Sequence, residues 1–522
     1  MGTFNKKRSF KKTASPNSKP TAKASAPPAI DRPPVPVGAQ LFGKENPQGM
    51  GLFRLSTTVI TLIVGAGVFT MSGDQAAGGA SGAAIATAWG ISGVGVLCLV
   101  LTFFALSRLK PHITGGIFVY ARKGFGEFLG FASAWGYWWA SLLTTVTFCA
   151  LLFESLAFFF PILGEGDNLW CLAGATVLVW GYAALAARGI GEISLVNAVI
   201  TVSKIVPILF SIILIILLGK FSPDLFWQNF NTGADPNLAF FDQIKSALML
   251  TMWVFVGIEG AVAVSGRAKR QSDVGKATLI AFCGVMAIYL AVSMLSMGIM
   301  PLSDLANLQN PSLAYVMEAV VGPWGAGFIN FAVSLSLVGA MLGYTILATE
   351  APYSAALQGI FPPEFSRTNK RGAPVVTILA TTAVVQVCLC FWVLTGEAYQ
   401  FFYVICAAMI LVPYLLSAAF FAVVTLREKA LFAEHLGGPI ILWRTVAVLG
   451  VIYSLFLGFA AGNNGLALMF ALYLVGLPLY LWQRHKRGRV PLPAFADKAG
   501  FAFFLVVGVV AVLLLALGIV TI

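Results

Sequence analysis

The residues with the greatest capacity for chemistry sit inside apolar runs. Val64-Gly65-Ala66-Gly67-Val68-Phe69 places two glycines at alternate positions in one run, and Trp253-Val254-Phe255-Val256-Gly257-Ile258-Glu259-Gly260 sets a carboxyl between two glycines in another. Glycine weakens a helix and lets a ligand approach the backbone, so both motifs read as helix breaks with exposed peptide groups. Close packing of small residues between membrane helices is the alternative for the first motif; a hydrogen bond to a neighbouring helix is the alternative for Glu259. Lys204 lies roughly midway between Arg188 and Lys220 in a third run. An unpaired charge there costs about 2.5–3.5 kcal/mol, so an ion pair, a neutral form, a transport role or snorkelling must account for it. Glu350 is one candidate partner. Glu154, nearer the end of its own run, reads as peripheral.

The elements that must position these residues are set by composition. Of 522 residues, 58% are hydrophobic and 10% charged. Ordinary soluble proteins carry about 25% charged residues, so this chain cannot cover a water-facing surface. Apolar runs of about 20 residues recur along most of its length, which makes it an all-α polytopic membrane protein. A soluble enzyme, a nucleic-acid-binding domain and a disordered regulator are excluded. Cys98, Cys149, Cys171, Cys283, Cys388, Cys390 and Cys406 lie in apolar runs without metal or redox spacing and read as small packing residues. No metal or cofactor is expected.

Residues 1–50 read as a basic, disordered cytoplasmic tail rich in Lys, Pro, Ser and Ala. No apolar segment follows its charges closely enough for a cleavable signal. About 13 transmembrane spans follow, at 52–72, 84–106, 128–160, 169–187, 193–218, 241–264, 277–300, 324–356, 373–394, 399–426, 440–461, 466–482 and 500–522. Thirty of the 33 lysines and arginines then fall on the tail's side, with Lys220 and Lys245 opposite and Lys204 within a span. By the positive-inside rule the N-terminus is cytoplasmic and the C-terminus outside. The net charge of +12 is therefore topology rather than a nucleic-acid footprint. The opposite side carries Asp74, Glu165, Asp167, Asp224, Asp235, Asp242, Asp304, Glu318 and Glu397, an acidic mouth suited to a cationic solute.

The two broken spans are the first and the sixth. Five helices separate them, and five is odd, so a second five-helix unit enters from the opposite face. That is a five-plus-five inverted-repeat transporter fold, with substrate held where two helices break near the midplane. The transport core is assigned to 51–426 (first repeat 51–218, second repeat 241–426), followed by helices 11–12 at 440–482, a basic cytoplasmic loop at 483–498 and a thirteenth helix at 499–522. Freed N–H groups around Gly65, Ala66 and Gly67 suit a carboxylate, and freed carbonyls from Trp253 to Val256 suit an α-ammonium. A zwitterionic amino acid is the natural ligand.

GAGVF in the first span, WVFVGIEGAVAVSGRAKRQSDVGKAT through the sixth, and NPSLAYVMEAVVGPWGA before the eighth closely resemble the basic amino acid/polyamine antiporter family, within the amino acid–polyamine–organocation superfamily. The resemblance runs from about Gly51 to Ile522 and includes a thirteenth helix, as in that family's arginine/ornithine and arginine/agmatine antiporters. It implies a plasma-membrane carrier (a bacterial inner membrane by kinship) that exchanges an arginine-like amino acid for ornithine, agmatine or lysine. It further implies a pocket of Ile63, Gly65, Ala66, Gly67, Ala140, Ser141, Thr145, Phe148, Trp253, Phe255, Val256, Gly257 and Tyr344. Trp253 matches a lid over the substrate, Tyr344 an aromatic that stacks on its cationic end, and Glu259 a residue of proton sensing and gating. Lys204 matches a helix-five lysine that, in proton-coupled relatives, occupies the place a sodium ion takes in sodium-driven cousins. Relatives usually carry Asn in place of Thr145 and Trp in place of Tyr344. Thr is shorter, and Tyr is a weaker cation–π partner; such contacts contribute about 0.5–2 kcal/mol.

A proton-coupled amino acid symporter on the same fold is the second reading, with Lys204 as its main support. An enzyme is disfavoured because His112, His435 and His485 lie in or near loops without a clustered nucleophile or base. A channel would need a continuous polar lining, which these spans lack. The expected partners are a small amino acid or polyamine and the lipid bilayer; a homodimer is allowed, and no nucleic acid is expected.

Overall fold

The computed structural model describes residues 50–110, 113, 117–189, 194–259, 269–395, 399–488 and 495–520. The basic tail, Gly260, Glu397 and the second half of the sixth span lie outside the described residues. Within them the chain is helical and forms no β-strand. Ten helices are long and apolar enough to cross a membrane. They are α3 (Gly82–Leu109), α5 (Glu127–Ala157), α6 (Leu169–Ala187), α10 (Gln271–Ser296), α13 (Pro323–Leu357), α14 (Val375–Thr395), α15 (Tyr399–Arg427), α17 (Ile440–Ala460), α18 (Gly462–Lys486) and α19 (Phe495–Ala516). This is an integral multi-pass membrane protein.

Three other expected spans fall outside these ten. The first is interrupted into α1 (Leu52–Ile63), a 3₁₀ turn (Gly67–Phe69) and α2 (Met71–Ala77). The fifth is α7 (Ser194–Leu217), which carries Pro207. The sixth is α9 (Phe240–Trp253), which gives way to turns after Trp253. Five short helices were not legible as elements: α4 (Ile117–Phe125), α8 (Pro223–Asn231), α11 (Leu302–Ala306), α12 (Ser312–Val321) and α16 (Lys429–His435). They are too short for a membrane-span pattern, and tertiary packing supplies their stability. In α4, for example, Tyr120 stacks on Phe420 of α15 with ring centroids 5.8 Å apart.

The most buried long helix is α5, which packs chiefly against α13 and α15. Its crossing with α15 depends on Gly136: a β-carbon there would stand 2.6 Å from the Met409 carbonyl oxygen and would strike the Tyr473 hydroxyl. Backbone cannot yield as a side chain can, so the close approach requires glycine. Around this helix lies a contiguous apolar core that includes Trp89, Phe148, Tyr289 and Tyr414.

Polar side chains tie the basic ends of the helices together. Lys110 pairs with Glu428, Arg484 with Glu127 at 3.2 Å, and Lys486 with Glu364 at 3.3 Å. Asp497 accepts from the Phe128 N–H at 2.8 Å, satisfying one of the orphan amides at the start of α5. The last helix is thereby fastened to the most buried one.

Gly136→Ala should lower the melting temperature of the detergent-solubilised protein by several degrees, through an overpacking cost of about 1–3 kcal/mol. Gly181→Ala, where a β-carbon meets open space, should leave it within about a degree. Equal melting of both variants would contradict the tight crossing.

Candidate functional site

The first break begins where α1 ends. Val64 is extended, with φ −70° and ψ 97°, and its N–H returns to the Ile60 carbonyl at 2.8 Å. Gly65 and Ala66 belong to no helix, and their N–H groups have no described acceptor. The Gly67 N–H opens the 3₁₀ turn, where first-turn donors lack an intrahelical partner. Three successive backbone donors are thus available near one point, an arrangement that favours an anion.

The second break follows Trp253. The Val256 N–H bonds to the Trp253 carbonyl at 3.0 Å and the Ile258 N–H to that of Phe255 at 3.2 Å. Gly257 has φ +109°, a left-handed conformation that requires glycine, and its N–H donates to Glu259 Oε2 at 3.1 Å. Of the carbonyls from Trp253 to Val256, three already accept a bond. Val256 O alone has no described donor, so the acceptor set is narrower than the sequence suggests.

One phenol links the two breaks. Tyr289 of α10 is fully buried, and its single hydroxyl proton is shared between Ile63 O at 3.2 Å and Val254 O at 3.1 Å. Nothing in the spacing of the seventh span pointed to it. A lone tyrosine in a run of Leu, Ala, Val and Ile was the only signal.

Between the breaks lies a small cavity lined by Ile63, Gly65, Ala66, Gly67, Thr144, Phe148, Trp253, Val254, Val256 and Tyr344. Its volume of about 10 Å³ admits roughly one water. Aromatic rings occupy the rest of the space. Phe148 meets Tyr344 edge-on at 4.9 Å, and Trp253 stacks on Tyr403 at 5.1 Å. Trp253 also presses on Gly67, where a β-carbon would strike its ring and approach Val254 Cγ1 to 2.5 Å. These rings leave the pocket narrow in this conformation, with Gly65, Val256 and Tyr344 still partly exposed.

Eight of the expected pocket residues line that cavity: Ile63, Gly65, Ala66, Gly67, Phe148, Trp253, Val256 and Tyr344. Five others do not. On α5 the lining hydroxyl is that of Thr144 rather than Thr145, because one residue rotates a side chain about 100° around a helix. The Thr145 hydroxyl is buried without a described partner. Ser141 bonds to the Tyr137 carbonyl at 2.8 Å, and the Ala140 carbonyl accepts from Thr144 Oγ1 and from Cys406 Sγ at 3.2 Å. Phe255 turns away into Trp89, Phe282 and Tyr289. Gly257 serves the turn itself.

The ionisable groups divide similarly. Glu259 is 5% exposed and accepts from the hydroxyls of Tyr414 and Tyr137 as well as from Gly257. It therefore bridges α5, α15 and the second break without a cationic partner among the described residues. Lys204 is 4% exposed, and its ammonium lies 3.5 Å from the Thr61 carbonyl in the last turn of α1. The negative end of that helix dipole favours a cation there. Glu350 is not brought to Lys204: it is exposed, and no ion pair joins the two among the described residues. Asp74 does not open into an outer mouth. It is 7% exposed, with Tyr399 and Gln400 donating to its carboxylate.

Two interrupted helices meet at a pocket of backbone donors, a backbone acceptor and aromatic rings, an arrangement in keeping with a membrane carrier. Residues 50–470 match the family described as amino acid permease. The chain is 38% identical over 440 residues to an Escherichia coli protein provisionally named an arginine/ornithine antiporter, covering 83% of this chain and 92% of that one. It is 36% identical over 479 residues to the arginine/ornithine antiporter of Pseudomonas aeruginosa, covering 90% and 98%. It is 33% identical over 481 residues to the arginine/agmatine antiporter of Chlamydia pneumoniae, covering 91% and 98%. The chain belongs to the amino acid permease family.

Tyr289→Phe removes the shared hydroxyl while keeping the ring. It should destabilise the protein by about 1–3 kcal/mol, because two buried carbonyls lose their donor, and a lowered detergent melting temperature would register the loss. Unchanged melting would show that the breaks do not rely on it.

Proposed function

We propose that the protein is an antiporter that exchanges a cationic amino acid, arginine-like, for ornithine, agmatine or lysine by alternating access. The observation that carries this reading is the facing pair of breaks: N–H groups of Gly65, Ala66 and Gly67 without an acceptor among the described residues on one side of the cavity, and the Val256 carbonyl on the other. An α-amino acid presents a carboxylate and an ammonium at complementary positions. The names of the relatives support arginine as one substrate and ornithine or agmatine as its counterpart.

In this reading the carboxylate lies on the first break and the α-ammonium on the second. The side chain runs between Phe148 and Tyr344 toward Thr144, with Trp253 as the lid. A cavity of about 10 Å³ cannot hold arginine, so Trp253 and Tyr344 move when substrate enters. Exchange follows if the empty carrier reorients slowly and the loaded one quickly. The repeats at 51–218 and 241–426, the cytoplasmic N-terminus and the outward C-terminus belong to the same proposal; the bias of basic residues supports the orientation.

Glu259 is assigned to gating. Its bonds to Tyr137 and Tyr414 join the sixth span to its neighbours below the pocket, and a change in its charge alters that junction. Lys204 occupies the carbonyl end of α1, where its side-chain nitrogen faces the Thr61 carbonyl.

Three measurements test the proposal. Purified protein in vesicles should accumulate labelled arginine when ornithine, agmatine or lysine is preloaded and little otherwise; equal uptake into empty vesicles under a proton gradient would instead indicate symport. Glu259→Ala should retain arginine binding but lose about tenfold or more in exchange rate, or its dependence on pH. Wild-type exchange across the pH range would remove Glu259 from the mechanism. Gly67→Ala should reduce exchange by a similar factor, since the added methyl occupies the seat of Trp253; full activity would contradict the lid.

A further inference from the structure

Asp74 takes no part in the pocket, yet it is a buried carboxylate with no lysine or arginine paired to it among the described residues. Both of its oxygens are engaged by consecutive residues of α15. The Tyr399 hydroxyl donates to Oδ2, and Gln400 Nε2 donates to Oδ1 at 2.9 Å. The same Tyr399 hydroxyl also donates to Thr70 Oγ1, and Asn310 and Thr70 lie beside the carboxylate. Glu154 of α5 is the other acidic group in electrostatic reach. A buried acceptor held by two donors from one helical turn joins α2, the half-helix beyond the first break, to the beginning of α15.

The joined turn also carries the lid's support. Tyr399 and Tyr403 are one helical turn apart on α15, with ring centroids 5.4 Å apart, and both pack on Trp253, Tyr399 edge-on at 6.2 Å and Tyr403 stacked at 5.1 Å. The Trp253 ring presses on Gly67 and lies beside the thiol of Cys406, which is fully buried. The chain Asp74–Tyr399–Trp253–Gly67 thus runs without a gap from the outer half-helix to the floor of the pocket.

We infer that Asp74 is the latch of the outer gate: its hydrogen bond from Tyr399 ties α2 to α15 and thereby holds the Trp253 lid closed over the pocket. Asp74 is a positioning residue acting through Tyr399, and it never touches substrate. The latch breaks when the carrier opens outward, which separates α2 from α15 and frees Trp253 to swing away from Gly67. This role rests on the alternating-access reading above and adds to it a device on one side of the site.

Cys406 supplies the probe. In a chain with Cys98, Cys149, Cys171, Cys283, Cys388 and Cys390 replaced by alanine, an impermeant methanethiosulfonate reagent added to right-side-out vesicles reaches Cys406 when the lid opens outward. Asp74→Ala and Tyr399→Phe should each raise the labelling rate by about fivefold or more, the population shift expected from one buried hydrogen bond. Asp74→Asn should stay within about twofold of the parent, because an amide oxygen still accepts from Tyr399. Tyr399→Phe keeps the ring packing, so faster labelling there separates release of the latch from collapse of the fold. Labelling unchanged in Asp74→Ala or Tyr399→Phe, or as fast in Asp74→Asn as in Asp74→Ala, would overturn the latch. Absence of amino acid exchange by the wild-type chain would strike the transport reading while leaving the labelling result to judge the latch.

Discussion

A membrane offers backbone groups no water, so every peptide dipole released from a helix must find a partner in the protein or in its cargo. The two breaks obey that constraint unevenly. At their carbonyl ends one hydroxyl from Tyr289 serves both Ile63 and Val254. At the donor end, Gly65 and Ala66 are left without a described acceptor. In the proposed reading, what the fold leaves unsatisfied complements an amino acid backbone, and the remaining architecture aligns those groups.

The covering is aromatic. Phe148, Tyr344 and Trp253 line the cavity, Tyr403 backs Trp253, and Gly67 gives Trp253 room to press on the break. Rings of this size exclude water while rotating about few bonds, which suits a gate that must open and shut. Below them Glu259 joins three elements through two phenols, and toward the other end Asp74 joins two. Buried carboxylates bonded to hydroxyls and amides, rather than to lysine or arginine, mark both ends of the site.

The sequence made much of this legible, for definable reasons. Length and apolarity alone located the eighth to eleventh spans to within two residues at either end, and Leu169–Ala187 coincided at both ends, whereas the seventh and thirteenth were displaced by up to six. The breaks were readable because glycine repeats and an intramembrane carboxyl are costly without a purpose. What was lost is rotational phase and partnership. A one-residue shift around α5 puts Thr144 rather than Thr145 on the cavity. Phe255 and Trp253 are two apart in a run that looks uniformly apolar, yet one faces Tyr289 and the other the pocket. Tyr289, Tyr137, Tyr414 and Tyr399 act through hydroxyls whose partners lie on distant segments, and no local pattern announces them. Glu350 was paired with Lys204 on depth alone, whereas α1 supplies a carbonyl at closer range.

The most direct measurement is an experimental density map of the protein with arginine bound. The account requires the arginine carboxylate within hydrogen-bond distance of the N–H groups at Gly65, Ala66 and Gly67, its α-ammonium on the Val256 carbonyl, and Trp253 over it. Continuous helical hydrogen bonding through both interruptions, or ligand density away from them, would contradict it.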